Sequence, residues 1–256
     1  MRGMENPLPQ HPLWADALAR AGLRSGWRDG VLVQRRGPLA AAIRAPARDA
    51  GWWRRHGPLL VEPEGDGAPL RAAGYGQVMT GATLALLALG PPGDALPRAS
   101  GKWRNRAVAG ARAAPAPQVA PLPPDPGHWL LRQEAAQRRA RRYRGLPHAL
   151  ILALAAGPAP PLLFRLGGRA PLAGMLFLRH GDAATYLLGW CGAAGRAVSG
   201  HHVLLAAAAR HFAAEGATHL DLGTIDTGRA PGLARFKLGA GAAPRRLGGS
   251  WLRLRP

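Results

Sequence analysis

Two carboxylates, a glycine-punctuated loop and a lysine fall within the run Asp221-Leu-Gly-Thr-Ile-Asp-Thr-Gly-Arg-Ala-Pro-Gly-Leu-Ala-Arg-Phe-Lys-Leu-Gly-Ala-Gly241. Lys237 is one of two lysines in a chain with 34 Lys+Arg, the other being Lys102. A lysine kept against so strong an arginine bias is a candidate for a chemical role. Asp226 is expected in the loop after a short strand, where it can act as general base. A turn-forming aspartate bonding its own backbone has the same sequence signature. Asp221, at the start of that strand, reads as structural.

Other reactive residue types carry less. His201 and His202 are adjacent, so on a helix they point in different directions, and no third metal ligand has suitable spacing. Cys191 is the sole cysteine, which excludes an intramolecular disulfide and a thiolate metal cluster. No thiol-nucleophile context surrounds it. Gly192–Gly200 is a glycine-rich turn leading into a helix. Ser199 reads as its N-cap, and His201 and His202 as helix N-terminal residues.

The elements that must hold these residues can be sketched from pattern. Trp14–Ala21 reads as a short amphipathic helix. Val31–Arg35 and Leu39–Ala45 read as strands across the Gly37-Pro38 turn, with Pro58–Glu62 and Ala82–Leu89 as further strands. Arg98–Arg112 is a basic helix and Gln118–Leu122 an edge strand inside a proline-rich stretch. A helix is expected over Asp125–Gly145, with Trp129, Ala136, Ala140 and Tyr143 on one face. Ala149–Ala155 reads as a strand. Leu162–Leu166, Leu172–Arg179 and Ala184–Trp190 form a meander, with Gly181-Asp182 as a tight hairpin. Ser199–Glu215 is a helix, Thr218–Leu222 a short buried strand, Ala230–Leu238 a short helix and Leu247–Leu254 a final strand.

The chain has 256 residues and 47% hydrophobic residues, enough for one large domain or two small ones. Its formal net charge of +20 suits a polyanionic partner or an anionic membrane surface, and the joint excess of Arg, Ala, Gly and Pro also fits coding bias. Met1–Gln10 has no apolar signal region, and no apolar run reaches the ~18 residues of a membrane span. The expected location is cytoplasmic, with peripheral membrane contact open. The proline-rich stretch divides the chain into residues 1–122 and 123–256. The second part orders its elements as helix, meander, helix, strand, short helix, strand, and the first gives a rougher version. That internal repeat would set Lys102 where Lys237 stands in the second part.

The second order is that of a GNAT-type acyltransferase. The run Ala184-Thr-Tyr-Leu-Leu-Gly-Trp190, Gly195-Arg196, Asp221-Leu-Gly and Ala230-Pro-Gly-Leu-Ala-Arg-Phe-Lys-Leu-Gly-Ala-Gly241, with Gly101-Lys-Trp-Arg-Asn-Arg106, resembles the FemAB-like branch of that superfamily. The resemblance implies an α/β fold of two tandem GNAT-like lobes, each a mostly antiparallel twisted sheet flanked by helices, the first lobe reduced. It also implies a substrate cleft on and between the lobes. The implied activity moves an acyl or aminoacyl group from acyl-CoA or aminoacyl-tRNA, as co-substrate, to an amine acceptor such as a cell-envelope precursor. No permanently bound cofactor or metal is implied, and tRNA is a candidate partner.

In family terms Lys237 lies at the acyl-transfer site. Donor contacts fall to the strand carrying Tyr186 and Leu188 and to Arg196, Ser199, Gly200 and His201. Of the Arg/Gln-x-x-Gly-x-Gly/Ala pyrophosphate pattern, Arg196 matches while Ser199 and His201 depart. The acceptor side falls to Lys102, Trp103, Arg104, Arg106 and Phe236. The family's Gly-Phe-Gly tail is Gly239-Ala-Gly241 here. A basic protein on the same scaffold that binds nucleic acid or an anionic metabolite without catalysis is the competing expectation.

Overall fold

The computed structural model describes residues 7–253. The readings of the first six residues and of Leu254 lie outside these. In chain order the first elements are α1 (Pro12–Arg20), β1 (Arg24–Arg28), β2 (Val31–Arg36), β3 (Leu39–Ala45), α2 (Ala50–His56), β4 (Leu60–Pro63), α3 (Ala68–Ala72), β5 (Tyr75–Met79) and β6 (Thr83–Ala88). Then follow α4 (Gly101–Ala113), β7 (Gln118–Pro121), α5 (Trp129–Arg141), α6 (His148–Ala155), β8 (Leu162–Leu166), β9 (Ala173–His180) and β10 (Ala183–Cys191). The last are α7 (Ala193–Ala197), α8 (Gly200–Ala214), β11 (His219–Ile225), α9 (Pro231–Gly239), β12 (Ala243–Arg246) and β13 (Ser250–Arg253).

Two sheets organise the chain, ordered β1-β2-β3-β4-β13-β5 and β12-β6-β11-β10-β9-β8-β7. They share one plan. An antiparallel meander is followed by a helix and a strand parallel to the meander's last member, β4 beside β3 and β11 beside β10. A short helix then leads to the edge strand, β5 or β12. The strand between the parallel strand and that edge comes from elsewhere in the chain: β13 in one sheet, β6 in the other. The two tandem GNAT-like lobes are therefore present, and each borrows one strand.

This plan corrects two expectations. The compact units are one that runs to Leu84 and resumes at Arg245, and one that spans Ala85–Pro244, so the expected division after Leu122 lies inside the second unit. In the repeat α9 corresponds to α3. Lys102 stands on α4, in the same unit as Lys237.

Local departures have physical causes. Ala149–Ala155 is helical, not extended: its Ala and Leu are strong helix formers, only Ile151 is β-branched, and Leu150, Ile151, Ala153 and Leu154 are buried. α5 starts later than expected, with the His128 ring accepting from Leu130 N (3.3 Å), and buries Leu130, Leu131 and Glu134 instead of the Ala136–Ala140 face. Ser199 precedes α8 but makes no side-chain cap; it sits in the left-handed region (φ 52°).

In the second unit, α5 and α6 cover one face of the sheet through Leu130, Leu131, Ile151, Leu163, Leu176 and Leu188. α8 covers the other through Leu204, Leu205, Phe212 and the β8–β9 aromatics Phe164 and Phe177. Phe212 lies 5.7 Å from Phe164 and 5.8 Å from Phe177, ring centre to ring centre. α4 packs on α8 at Gly110, where a Cβ would stand 2.4 Å from the Val198 carbonyl and 2.7 Å from Val203 Cγ2. Gly110→Ala is therefore expected to lower stability by ~1–3 kcal/mol, seen as a lower urea midpoint at unchanged slope. An unchanged midpoint would show that the α4–α8 contact yields freely.

Candidate active site

The site begins with a ladder that stops. β10 pairs with β9 along its length, interrupted by a bulge between Tyr186 and Leu188. Its ladder with β11 runs for three pairs only, Ala183↔His219, Ala184↔Leu220 and Thr185↔Asp221. Beyond Thr185, β10 continues to Cys191 and β11 to Ile225 without pairing to each other, so the two strands part. A bulge adds twist and re-aims the strand that carries it. Past the opening, one edge of β10 offers backbone N–H and C=O groups to an extended ligand.

The side chains here brace the strand. Tyr186 lies against Phe177 (5.4 Å), and burial drives its phenol pKa far up, so it stays neutral. Gly189 gives it room: a Cβ there would meet the Tyr186 hydroxyl at 2.5 Å. Leu188 is buried under α5 and α6. Of this pair of predicted donor residues, the backbone and not the side chains faces the opening's chemistry.

The turn that follows is tightly bound. Arg196 Nη1 donates to the Cys191 carbonyl at 2.6 Å. Burial raises the Cys191 pKa and lowers that of His201, so both are neutral. Gly195 and Gly200 are close-packed: a Cβ would come within 2.2 Å of the Leu172 carbonyl at the first and 2.9 Å of the Gly195 carbonyl at the second. The Ser199 carbonyl accepts the first bonds of α8, from His202 N (2.9 Å) and Val203 N (3.3 Å).

Lys237 is 4% exposed, and its ammonium donates to the Thr224 carbonyl at 2.7 Å, on the part of β11 that has left the ladder. Burial lowers its pKa to about 8 against the opposing pull of Asp221. Asp221, 1% exposed, accepts from Gly223 N (2.8 Å), and Gly223 takes the left-handed φ of 73° that the kink requires. Asp226 is exposed and bonds Gly228 N (3.0 Å) and Arg229 N (2.8 Å), the geometry of a turn-forming aspartate.

The predicted acceptor residues divide. Trp103 and Phe236 join His202 in an aromatic cluster, with ring centres 5.2 Å (Trp103–His202), 5.0 Å (His202–Phe236) and 6.1 Å (Trp103–Phe236) apart. Burial, helped by Arg106 and His201, lowers the His202 pKa to about 4. Trp103 is thus a core anchor within the second unit. Arg104 is spent on the carbonyls of Ala99, Leu96 and Pro97, at 3.1, 2.9 and 2.7 Å. Lys102 and Arg106 are exposed on α4. No group of three or more potential metal ligands occurs among the described residues.

One cluster was not anticipated from sequence. Glu134, 2% exposed, accepts from Tyr143 (2.8 Å), from Arg138 Nη2 (2.8 and 2.9 Å) and lies 2.6 Å from His148 Nε2. Gln137 extends it to the Tyr143 hydroxyl (3.1 Å) and to the Gly189 carbonyl on β10 (3.4 Å). The Glu134/Arg138 spacing was the only sequence signal, and it is shared by ordinary surface pairs.

Among its described residues the first unit has no such opening. β3 and β4 stay paired to their ends, through Ala45↔Pro63, around a bulge at Arg44. Arg44 and Glu64 close that end with two bonds of 2.7 Å, both residues being buried.

Residues 127–243 match the family described as acetyltransferase (GNAT) domain. Among solved structures, FemX aligns with a TM-score of 0.70 at 12% identity, over 95% of this chain and 93% of that one. The C-terminal domain of a protein described as a lysylphosphatidylglycerol synthetase from Agrobacterium fabrum aligns at 0.60 and 15%, covering 97% and 89%. L-PGS from Bacillus licheniformis aligns at 0.59 and 14%, covering 97% and 87%. No curated protein matches the sequence significantly. Residues 127–243 thus resemble a GNAT domain, and the fold of FemX extends along nearly the whole chain.

Proposed function

The chain carries a GNAT domain within a FemX-like fold, and from that premise we propose that it is an N-acyltransferase moving an acyl or aminoacyl group from an activated donor to an amine. The observation that supports this reading best is the β10–β11 ladder that ends after three pairs with Lys237 bonded to the departing strand. The donor's arm lies along the free edge of β10 between Tyr186 and Trp190. Its phosphates lie at the turn carrying Arg196, Ser199, Gly200 and His201. The acceptor amine attacks the donor carbonyl. A C–N bond forms, the C–S bond of a thioester or the C–O bond of an aminoacyl ester breaks, and the leaving group takes up a proton. The amine's proton departs to Asp226 or through water. Lys237, held mostly charged at pH 7, faces the oxyanion of the tetrahedral intermediate. Lys102, Trp103, Arg104, Arg106 and Phe236 form the acceptor side. Arg104 and Trp103 act there through position, since their polar and aromatic surfaces are already engaged.

A neighbour described as a lysylphosphatidylglycerol synthetase joins an amino acid to a membrane lipid by name, which favours a cell-envelope acceptor. A comparison of acetyl-CoA with aminoacyl-tRNA tests the donor. One of them is expected to raise Tm by several degrees and, with an amine acceptor, to yield an amide detectable by mass spectrometry. Failure of both to stabilise the protein would remove the reading. The +20 charge favours a second one, a non-catalytic nucleic-acid binder. RNA binding that weakens steeply with salt, without amide formation, would support it.

A further inference from the structure

The first unit contains a cavity of about 250 Å³ lined by Asp66, Gly67, Arg71, Gln77, Arg246 and Trp251, among others. Its place in the sheet plan is informative. Asp66 and Gly67 form the loop between β4 and α3, the counterpart of the Asp226 loop between β11 and α9. Asp66 Oδ1 accepts from Ala68 N at 3.1 Å, as Asp226 Oδ1 accepts from the backbone of its own loop. The first unit, closed at β3–β4, thus lacks an opened ladder, and its cavity lies at the β4–α3 loop instead.

The lining carries both signs of charge in separate groups. Arg71 is held with its guanidinium 5.6 Å above the Trp251 ring. Neither Arg71 nor Arg246 forms an ion pair among the described residues. Asp66 pairs with neither of them, and its Oδ2 makes no hydrogen bond among the described residues. The wall is set by backbone: a Cβ on Gly67 would meet the Trp251 ring at 2.1 Å. Two guanidiniums suit a carboxylate, whereas Asp66 repels a polyanion such as a phosphate monoester and attracts an ammonium.

We propose that this cavity binds a free α-amino acid or a similar small zwitterion, carboxylate to Arg71 and Arg246, ammonium to Asp66. The volume admits one residue-sized molecule. The site is separate from the transfer chemistry and does not depend on it.

Three isosteric probes test this by isothermal titration: L-leucine, 4-methylpentanoate, which lacks the amine, and isopentylamine, which lacks the carboxylate. Leucine is expected to bind at least tenfold more tightly than either. Asp66→Asn keeps the oxygen that accepts from Ala68 and is expected to reduce leucine to the affinity of 4-methylpentanoate. Arg246→Ala, at an exposed position, is expected to weaken leucine and 4-methylpentanoate together while leaving isopentylamine unchanged. Both variants should match the wild-type Tm without ligand. No saturable leucine binding at millimolar concentration, equal binding of the three probes, or wild-type leucine affinity in both variants would overturn the proposal.

Discussion

Lys237→Met is expected to lower turnover by ~10²–10³-fold while leaving Tm at pH 7 unchanged or raised. The first part follows from placing the sole buried lysine against the oxyanion. The second follows from linkage. The Lys237 pKa is about 8 in the folded chain, held down by burial, against an ordinary value of 10.5. Below pH 8 both folded and unfolded forms carry the proton, and the burial penalty, ~3 kcal/mol, is fully felt. Between pH 8 and 10.5 the unfolded chain binds the extra proton, so wild-type stability gains relative to the methionine variant as pH rises. Methionine removes the penalty and gives up the bond to the Thr224 carbonyl, which lies on an exposed residue and can turn to water. Wild-type kcat should also fall as pH rises through about 8, where the amine loses its charge. A variant that turns over normally, or one that is less stable by the same amount at every pH, would make Lys237 a structural residue.

The largest stability effect is expected at Glu134. Glu134→Ala strips the carboxylate from Arg138, Tyr143 and His148 at once and leaves a partly buried guanidinium without a counter-charge. Breaking such a pair by removing one partner costs ~3–5 kcal/mol, or about 10 °C in Tm for a chain of this length. Glu134→Gln retains an acceptor and should lose less. Burial raises the Glu134 pKa, but hydrogen bonds from Tyr143, His148 and Arg138 outweigh it and hold the pKa below its usual value. The carboxylate's contribution is therefore complete above the unfolded pKa and is lost as pH falls through the lower folded value. Acid unfolding of wild type and Gln variant should converge there. Because Gln137 joins this cluster to the Gly189 carbonyl, the Ala variant should also raise the donor KM. A Glu134→Ala protein with wild-type Tm would show that the cluster holds nothing.

Much of this arrangement can be read from the chain and some cannot. The β8–β10 meander is legible because Gly181 provides a left-handed turn between two largely apolar runs. Gln118–Pro121 is legible as an edge strand because Pro121 and the proline-rich stretch around it exclude it from a sheet centre. The exchange of β6 and β13 is invisible, since strand neighbours so far apart in sequence leave no periodic trace. That exchange is also why Lys102 looked like the counterpart of Lys237. α6 cannot be told from a strand in the sequence, because a short apolar run has no period to separate the two. Lys237 stood out through composition alone, but its burial, and that of Glu134, depends on which helix face meets the sheet. Nothing in Ala183–Cys191 announces that pairing with β11 ends at Thr185.

That ending is the point on which the account rests, and amide hydrogen exchange over residues 186–191 tests it directly. With a saturating acyl donor, exchange in this segment and in the turn to His201 should slow, while β3 and β4 remain unchanged. A donor that is turned over while exchange over 186–191 stays the same, or slows only at β3 and β4, would contradict it.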